Sequence, residues 1–324
     1  MMRVVGPIVA VACLVAPVLG ADDAALARAA ACSAAHGEVS LLVWSDGRVV
    51  YERGTSDGLS PPVFSITKSL VSIGVFRDAK TGGLSLGQSA AHPAARGVSL
   101  ADLLNQTSGL PPAHRAFYGQ GLQDKGPVLE GLKSNGHGEF AYGPSHWEVL
   151  AEEIRLSRGT TLESWLRKFV PGANARVVAR WRRDGGGTLF FSTGARMGAR
   201  ELLPAGREVL IGMGRARWPA EVRNLLTAGT AANRMYALGF WLNRAAGRPG
   251  AREIDIESSL GKTKAPEYWA NACLSRSAPQ DLLAMIGTYG QRVYVIPSRR
   301  MTVVRLGRGR GFSDAEFLRC LFGQ

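Results

Sequence analysis

The chain has 324 residues, 46% of them hydrophobic and 20% charged, a composition that excludes disorder and collagen-like order and fits a globular body of about two domains. Its 40 Gly and 16 Pro follow no fixed period, which excludes a repeat array and a low-complexity tract. The formal net charge of +13 comes mostly from scattered Arg (Arg180, Arg182, Arg183, Arg196, Arg200, Arg299, Arg300) with no stripe of interleaved aromatics, so no nucleic-acid partner is indicated. The charge reads either as attraction to an anionic surface or acidic substrate, or as a general bias toward Arg codons.

Met1-Met2-Arg3 is followed by the apolar run Val4 to Leu19 and then by Ala21-Asp22-Asp23, the pattern of a secretory signal peptide (1–20) cleaved after Gly20. Gly6, Pro7 and Pro17 interrupt the run, which is too short for a spanning helix. A lipoprotein anchored at Cys13 would need a leucine in the preceding residues, and Ala10-Val11-Ala12 stands there. The sequence thus predicts an exported protein, periplasmic or secreted, with no transmembrane segment after cleavage. Cys32, Cys273 and Cys320 remain, an odd count; a Cys32–Cys320 disulfide and small buried thiols both stand as readings. No spacing among these and His36, His92, His114, His137 and His146 suggests zinc, so no metal site is expected and a metal-dependent hydrolase is set aside.

Ala24 to Ala35 reads as a helix stopping at Gly37. Val39 to Trp44 and Arg48 to Arg53, separated by Ser45-Asp46-Gly47, read as a β-hairpin. Ser65 to Asp78 is a buried helix, with Ile66, Leu70, Ile73 and Phe76 at helical spacing and Gly82-Gly83 as its stop. Helices with long loops follow over 99–105, 145–156, 161–169, 195–213 and 219–226. Arg292 to Ile296 and Met301 to Leu306 are strands, and Ser313 caps a closing helix that runs to Phe322. The pattern predicts an α/β (α+β) fold: one antiparallel sheet from both chain ends (21–85 and 255–324), with a mainly helical insert over 86–254.

Ser65-Ile66-Thr67-Lys68 puts a hydroxyl and an amine three residues apart on the first turn of that buried helix, on one face. A desolvated lysine can accept the serine proton, and the helix N-terminus adds positive potential and N–H donors for an oxyanion.

Around this pair the resemblance to a known family becomes visible. Phe64-Ser65-Ile66-Thr67-Lys68-Ser69-Leu70 is followed by Leu84-Ser85-Leu86 and by Asn105-Gln106-Thr107-Ser108-Gly109-Leu110. Phe140-Ala141-Tyr142, Gly186-Gly187, Ala195-Arg196-Met197, Leu238 to Asn243 and Gly290 to Ser298 then come in order. The series resembles the serine β-lactamase and penicillin-binding protein superfamily, most of all its class C-type branch, which also holds esterases, D-aminopeptidases and 6-aminohexanoate-dimer hydrolases. The resemblance implies an acyl-enzyme mechanism without a cofactor: Ser65 as nucleophile, Lys68 as base and Tyr142 relaying the proton, a phenol brought into acid–base range by nearby cations.

Two motifs depart from the family pattern. Pro144 replaces the Asn of Tyr-x-Asn, leaving Ser145 or His146 to take its place; a satisfied or exposed histidine is the alternative for His146. The third motif reads Thr288-Tyr289-Gly290-Gln291, without its cation; by resemblance it lines the site and supplies the second oxyanion N–H, from Gln291. Lys262-Thr263 lacks the glycine and strand context of a substitute. His114 to Tyr118 reads as a pocket wall, with Tyr118 lining it and Arg115 receiving an acid, or as an ordinary surface loop. The loss of the third-motif cation disfavours β-lactam substrates. The expected function is an exported serine hydrolase of small esters, amides or peptides; the alternative is a non-catalytic relative that binds a cell-wall fragment or a partner protein. Oligomeric state is not legible.

Overall fold

The computed structural model describes residues 23–54, 60–119, 124–136, 138–214, 217–260, 264–309 and 311–323. The expected signal peptide, His137 and Lys262-Thr263 lie outside the described residues.

The chain opens with α1 (Asp23–Ala34) and the hairpin β1 (Glu38–Ser45) and β2 (Arg48–Arg53), turned at Asp46-Gly47, both at positive φ. The long buried helix α2 (Ile66–Lys80) follows, then the shorter α3 (Leu100–Asn105), α4 (His114–Tyr118) and α5 (Gly126–Glu130). Next come α6 (Ser145–Arg158), α7 (Leu162–Phe169), α8 (Ala175–Ala179), α9 (Ala199–Gly214) and α10 (Ala220–Ala228). Strands β3 (Tyr236–Ala237) and β4 (Phe240–Leu242) precede β5 (Arg252–Glu253), α11 (Ile256–Ser259), α12 (Pro266–Ala270) and β6 (Ala272–Cys273). The chain closes through β7 (Leu283–Gly287), β8 (Gln291–Ile296), β9 (Met301–Gly307) and α13 (Asp314–Phe322).

Seven of these strands form one antiparallel sheet in the order β2-β1-β9-β8-β7-β4-β3. Successive side chains on a strand face opposite ways, and here both faces are apolar. Leu42, Val293, Val295 and Val304 turn toward the core that holds α2, α6 and α9, while Leu41, Val43, Tyr294, Ile296 and Val303 turn toward α1 and α13. The antiparallel sheet drawn from both chain ends is therefore as the sequence predicts.

The extent of the insert differs. Strands β3 and β4 fall inside 86–254 yet complete the sheet, and α9 packs on β1, β8 and β9. These strands are only two and three residues long, apolar without alternation, and joined through Leu238-Gly239 at φ 49° and 85°, so no period marks them in the sequence.

Candidate active site

Ser65 sits at the N-cap of α2, delivered there by a bent approach. Phe64 has φ 49°, a left-handed conformation that a bulky side chain rarely adopts. Surrounding contacts hold it. The Val63 N–H donates to Ala195 O (3.0 Å), Thr67 Oγ1 donates to Phe64 O (2.6 Å) and accepts from Ala195 N–H (3.1 Å), and the Phe64 ring meets Tyr289 edge-on at 5.4 Å. One turn on, Lys68 is 2% exposed; its Nζ donates to Ser65 Oγ (3.0 Å) and to Ser192 O (2.9 Å). Desolvation lowers the Lys68 pKa from 10.5 to about 7, against a partial upward pull from Glu148. The amine is thus available as a proton acceptor near neutral pH.

Tyr142 completes the cluster. Lys68 Nζ lies 5.1 Å from its ring centroid, and the nearby Ser65 side chain draws the phenol pKa down. Its phenol does not move into the acid–base range expected from nearby cations: burial pushes it up to about 12, and Ser65 opposes this only in part. The single neighbouring amine is itself easily neutralised, so Tyr142 keeps its proton and is a donor. The loop carrying it is fastened by the Asn105 to Leu110 segment. Gln106 O accepts the Ala141 N–H (3.0 Å), and Gln106 Oε1 accepts the Gly143 N–H (2.7 Å). Gly109, at φ 73°, passes so close to Gly136 that a Cβ would fall 1.6 Å from its carbonyl oxygen.

The two candidates for replacing the second-motif amide are engaged elsewhere. Ser145 Oγ donates to Pro111 O (2.5 Å). His146 is buried, which lowers its pKa to about 4; as a neutral ring it donates from Nε2 to Ala141 O (2.7 Å) and bonds Ser108 Oγ through Nδ1 (2.7 Å). It is a fastener of the Tyr142 loop, not a wall of the site. Tyr118 packs against His114 and Arg182, outside the lining of the cavity beside Ser65, and Arg115 is exposed on α4.

Lys68 is held in place by a buried chain of groups that the sequence does not single out. Glu148, two residues beyond His146, pairs with Lys125 Nζ (2.5 Å) in the interior. Its Oε1 accepts both Ser192 N–H (2.9 Å) and Ser192 Oγ (2.5 Å), and Ser192 O in turn holds Lys68. A carboxylate inside the apolar run Trp147-Glu148-Val149-Leu150 was the one available signal, since a buried acid needs a partner.

Ser65 and Tyr142 open onto a cavity of about 610 Å³, walled by Trp241, Ile286, Gly287, Thr288, Phe312 and the start of α11. Among the described residues lining it, the charged side chains are Asp255 and Glu257. Of the third-motif segment only Thr288 lines this cavity. Tyr289 and Gln291 face a second cavity of about 830 Å³ shared with Phe64 and four arginines. The N–H groups of Tyr289 and Gly290 donate to Glu257 (3.2 and 3.4 Å), and the Gln291 side chain is bonded to the Gly307 backbone. The tight β7–β8 turn causes this: Gly287 pairs with Gln291, so the segment reverses direction after Thr288 and carries the rest away from Ser65. Gly287 itself runs against the Ser65 approach, where a Cβ would lie 2.2 Å from Val63 O.

Residues 24–136, which carry Ser65 and Lys68, match the β-lactamase family model. EstCE1, a hydrolase with promiscuous acyltransferase activity, superposes with TM-score 0.62 at 15% identity, over 93% of this chain and 99% of that one. The chain has the fold of the serine β-lactamase and penicillin-binding protein-like superfamily. A class C β-lactamase from Rhodobacter sphaeroides shares this β-lactamase-like fold at TM-score 0.59 and 16% identity (92% of this chain, 97% of that one). A penicillin-binding protein homologue from Caulobacter crescentus does so at 0.58 and 14% (93% and 97%). At these identities the likeness is one of fold. Among curated proteins none matches the chain.

Proposed function

We propose that the protein is an exported serine hydrolase that cleaves small esters, amides or peptides through an acyl-enzyme on Ser65. The observation that carries this is the buried Lys68 amine, 3.0 Å from Ser65 Oγ and with a pKa lowered to about 7, beside a cavity large enough for a small acyl substrate. Lys68 takes the Ser65 proton as Oγ attacks the carbonyl. Tyr142, holding its own proton, hands it to the leaving group and recovers one from Lys68. The N–H groups of Ser65 and Thr288 are the oxyanion donors we assign, at the positive end of α2. Asp255 on the wall favours neutral or amine-bearing acyl groups over carboxylate-bearing ones such as penicillins, while the charge of its neighbour Glu257 is already partly offset by Arg292 at 3.1 Å. Export rests on the Val4 to Leu19 leader.

The test is a fluorophosphonate probe followed by peptide mapping, run on wild type and on Ser65→Ala shown to be equally folded. A single adduct at Ser65, absent from the variant, is expected. Folded wild type that takes no adduct and turns over no neutral ester would leave a binding protein as the better description.

A further inference from the structure

Helices α1 and α13 pack side by side on the sheet face away from α2. On the first, Cys32 is followed four residues later by His36, just past the helix end; on the second, Glu316 is followed four residues later by Cys320. Residues four apart share one helix face, and these two faces meet. Cys32 Sγ, a ring nitrogen of His36 and a carboxylate oxygen of Glu316 lie within 4.8 Å of one another, and Cys320 on the facing helix is close enough to the Cys32 thiol to help raise its pKa, after the effect of burial.

The imidazole is oriented as a ligand would be. His36 Nδ1 donates to Cys32 O at 2.9 Å, which leaves the Nε2 lone pair directed at the cluster, 3.6 Å from Glu316 Oε2. Ligand atoms about 2.0–2.3 Å from a tetrahedral ion stand roughly 3.3–3.8 Å from each other, so small side-chain rotations bring Cys32, His36 and Glu316 onto one ion, and Cys320 has to swing in from the facing helix as the fourth ligand. Two sulfurs, one imidazole and one carboxylate form a donor set that suits zinc and excludes magnesium or calcium. Arg305, whose guanidinium binds Ser33 Oγ (2.9 Å) and His36 O (2.6 Å), supplies positive charge against the two thiolates and the carboxylate.

We propose that Cys32, His36, Glu316 and Cys320 bind one Zn²⁺-like ion that staples α1 to α13. The site is structural and independent of the Ser65 chemistry. Each half reads in the sequence as an ordinary four-residue helical spacing, and only the packing of the two helices joins them.

The experiment is titration of the reduced, metal-free full chain with Co²⁺, followed by its visible and thiolate charge-transfer absorption, with Zn²⁺ displacement and thermal unfolding alongside. One cobalt per chain with tetrahedral thiolate bands, displaced by zinc and accompanied by a higher Tm, is expected. Cys32→Ser should lose the charge-transfer intensity of one thiolate, and His36→Ala, with both thiols intact, should weaken binding at least tenfold. Folded protein that shows no thiolate–cobalt absorption, or binding unchanged in His36→Ala, overturns the proposal. So does a Cys32–Cys320 disulfide in protein isolated without reductant.

Discussion

Lys68 can serve as a base only as a free amine, and burial is what frees it. With a folded-state pKa of about 7, hydrolysis of a neutral ester should rise with pH and level off above an inflection near 7, seen in kcat/KM. Lys68→Met should lose roughly 10²- to 10⁴-fold in rate. The same shift has a stability sign. The unfolded chain holds its Lys68 proton up to about 10.5, the folded chain only to about 7, so between these values the unfolded state binds more protons and stability rises with pH. The variant should remove that part of the rise, and urea unfolding of both proteins at pH 6.5 and 9 checks it. An unchanged pH dependence of stability would mean that Lys68 is not desolvated as described.

At the scale of elements, the site is held by pieces from distant parts of the chain. The Lys125–Glu148 pair is closed to water, so removing one partner leaves an uncompensated charge; Lys125→Met should cost about 3–5 kcal/mol in chemical denaturation. Adding Glu148→Gln should recover part of that loss, because the orphaned carboxylate is then gone. On β7, Gly287→Ala drives a methyl into Val63 O and should cost about 1–3 kcal/mol while displacing Ser65, with activity falling further than stability predicts.

The elements legible in the sequence are those with boundary signals: the hairpin at its Asp46-Gly47 turn, α2 ahead of Gly82-Gly83, and the β8–β9 pair around Pro297 to Arg300. Strands β3, β4 and β7 are short and uniformly apolar, so no alternation distinguishes them from buried helix. In the site, the Ser65–Lys68 spacing was local and therefore readable, and Tyr142 followed from ordered motifs. The Lys125–Glu148–Ser192 chain joins residues from three loops and helices, which no spacing encodes. That Thr288 lines the cavity while Tyr289 to Gln291 turn away from it depends on the register of the tight β7–β8 turn, a property of strand pairing that no spacing encodes.

For the molecule as a whole, one core runs through both the sheet and the helical layers: Leu42, Val293 and Val304 of the sheet share a cluster with Leu104, Leu150 and Trp165. The expected insert is therefore welded to the sheet, and calorimetry should record one cooperative transition. Two well-separated transitions would restore the insert as an independent domain.

The central place of β1, between β2 and β9, also sets a clock on the nascent chain. At ribosomal speeds of about 5–20 residues per second, β1 waits roughly 10–50 s before β9 is made. For that interval β1, with an apolar residue row on each face, has no neighbour on its inner edge. A chain wired this way gains little by folding as it is synthesised, because its central strand finds its second partner only when the last sixth of the sequence has appeared.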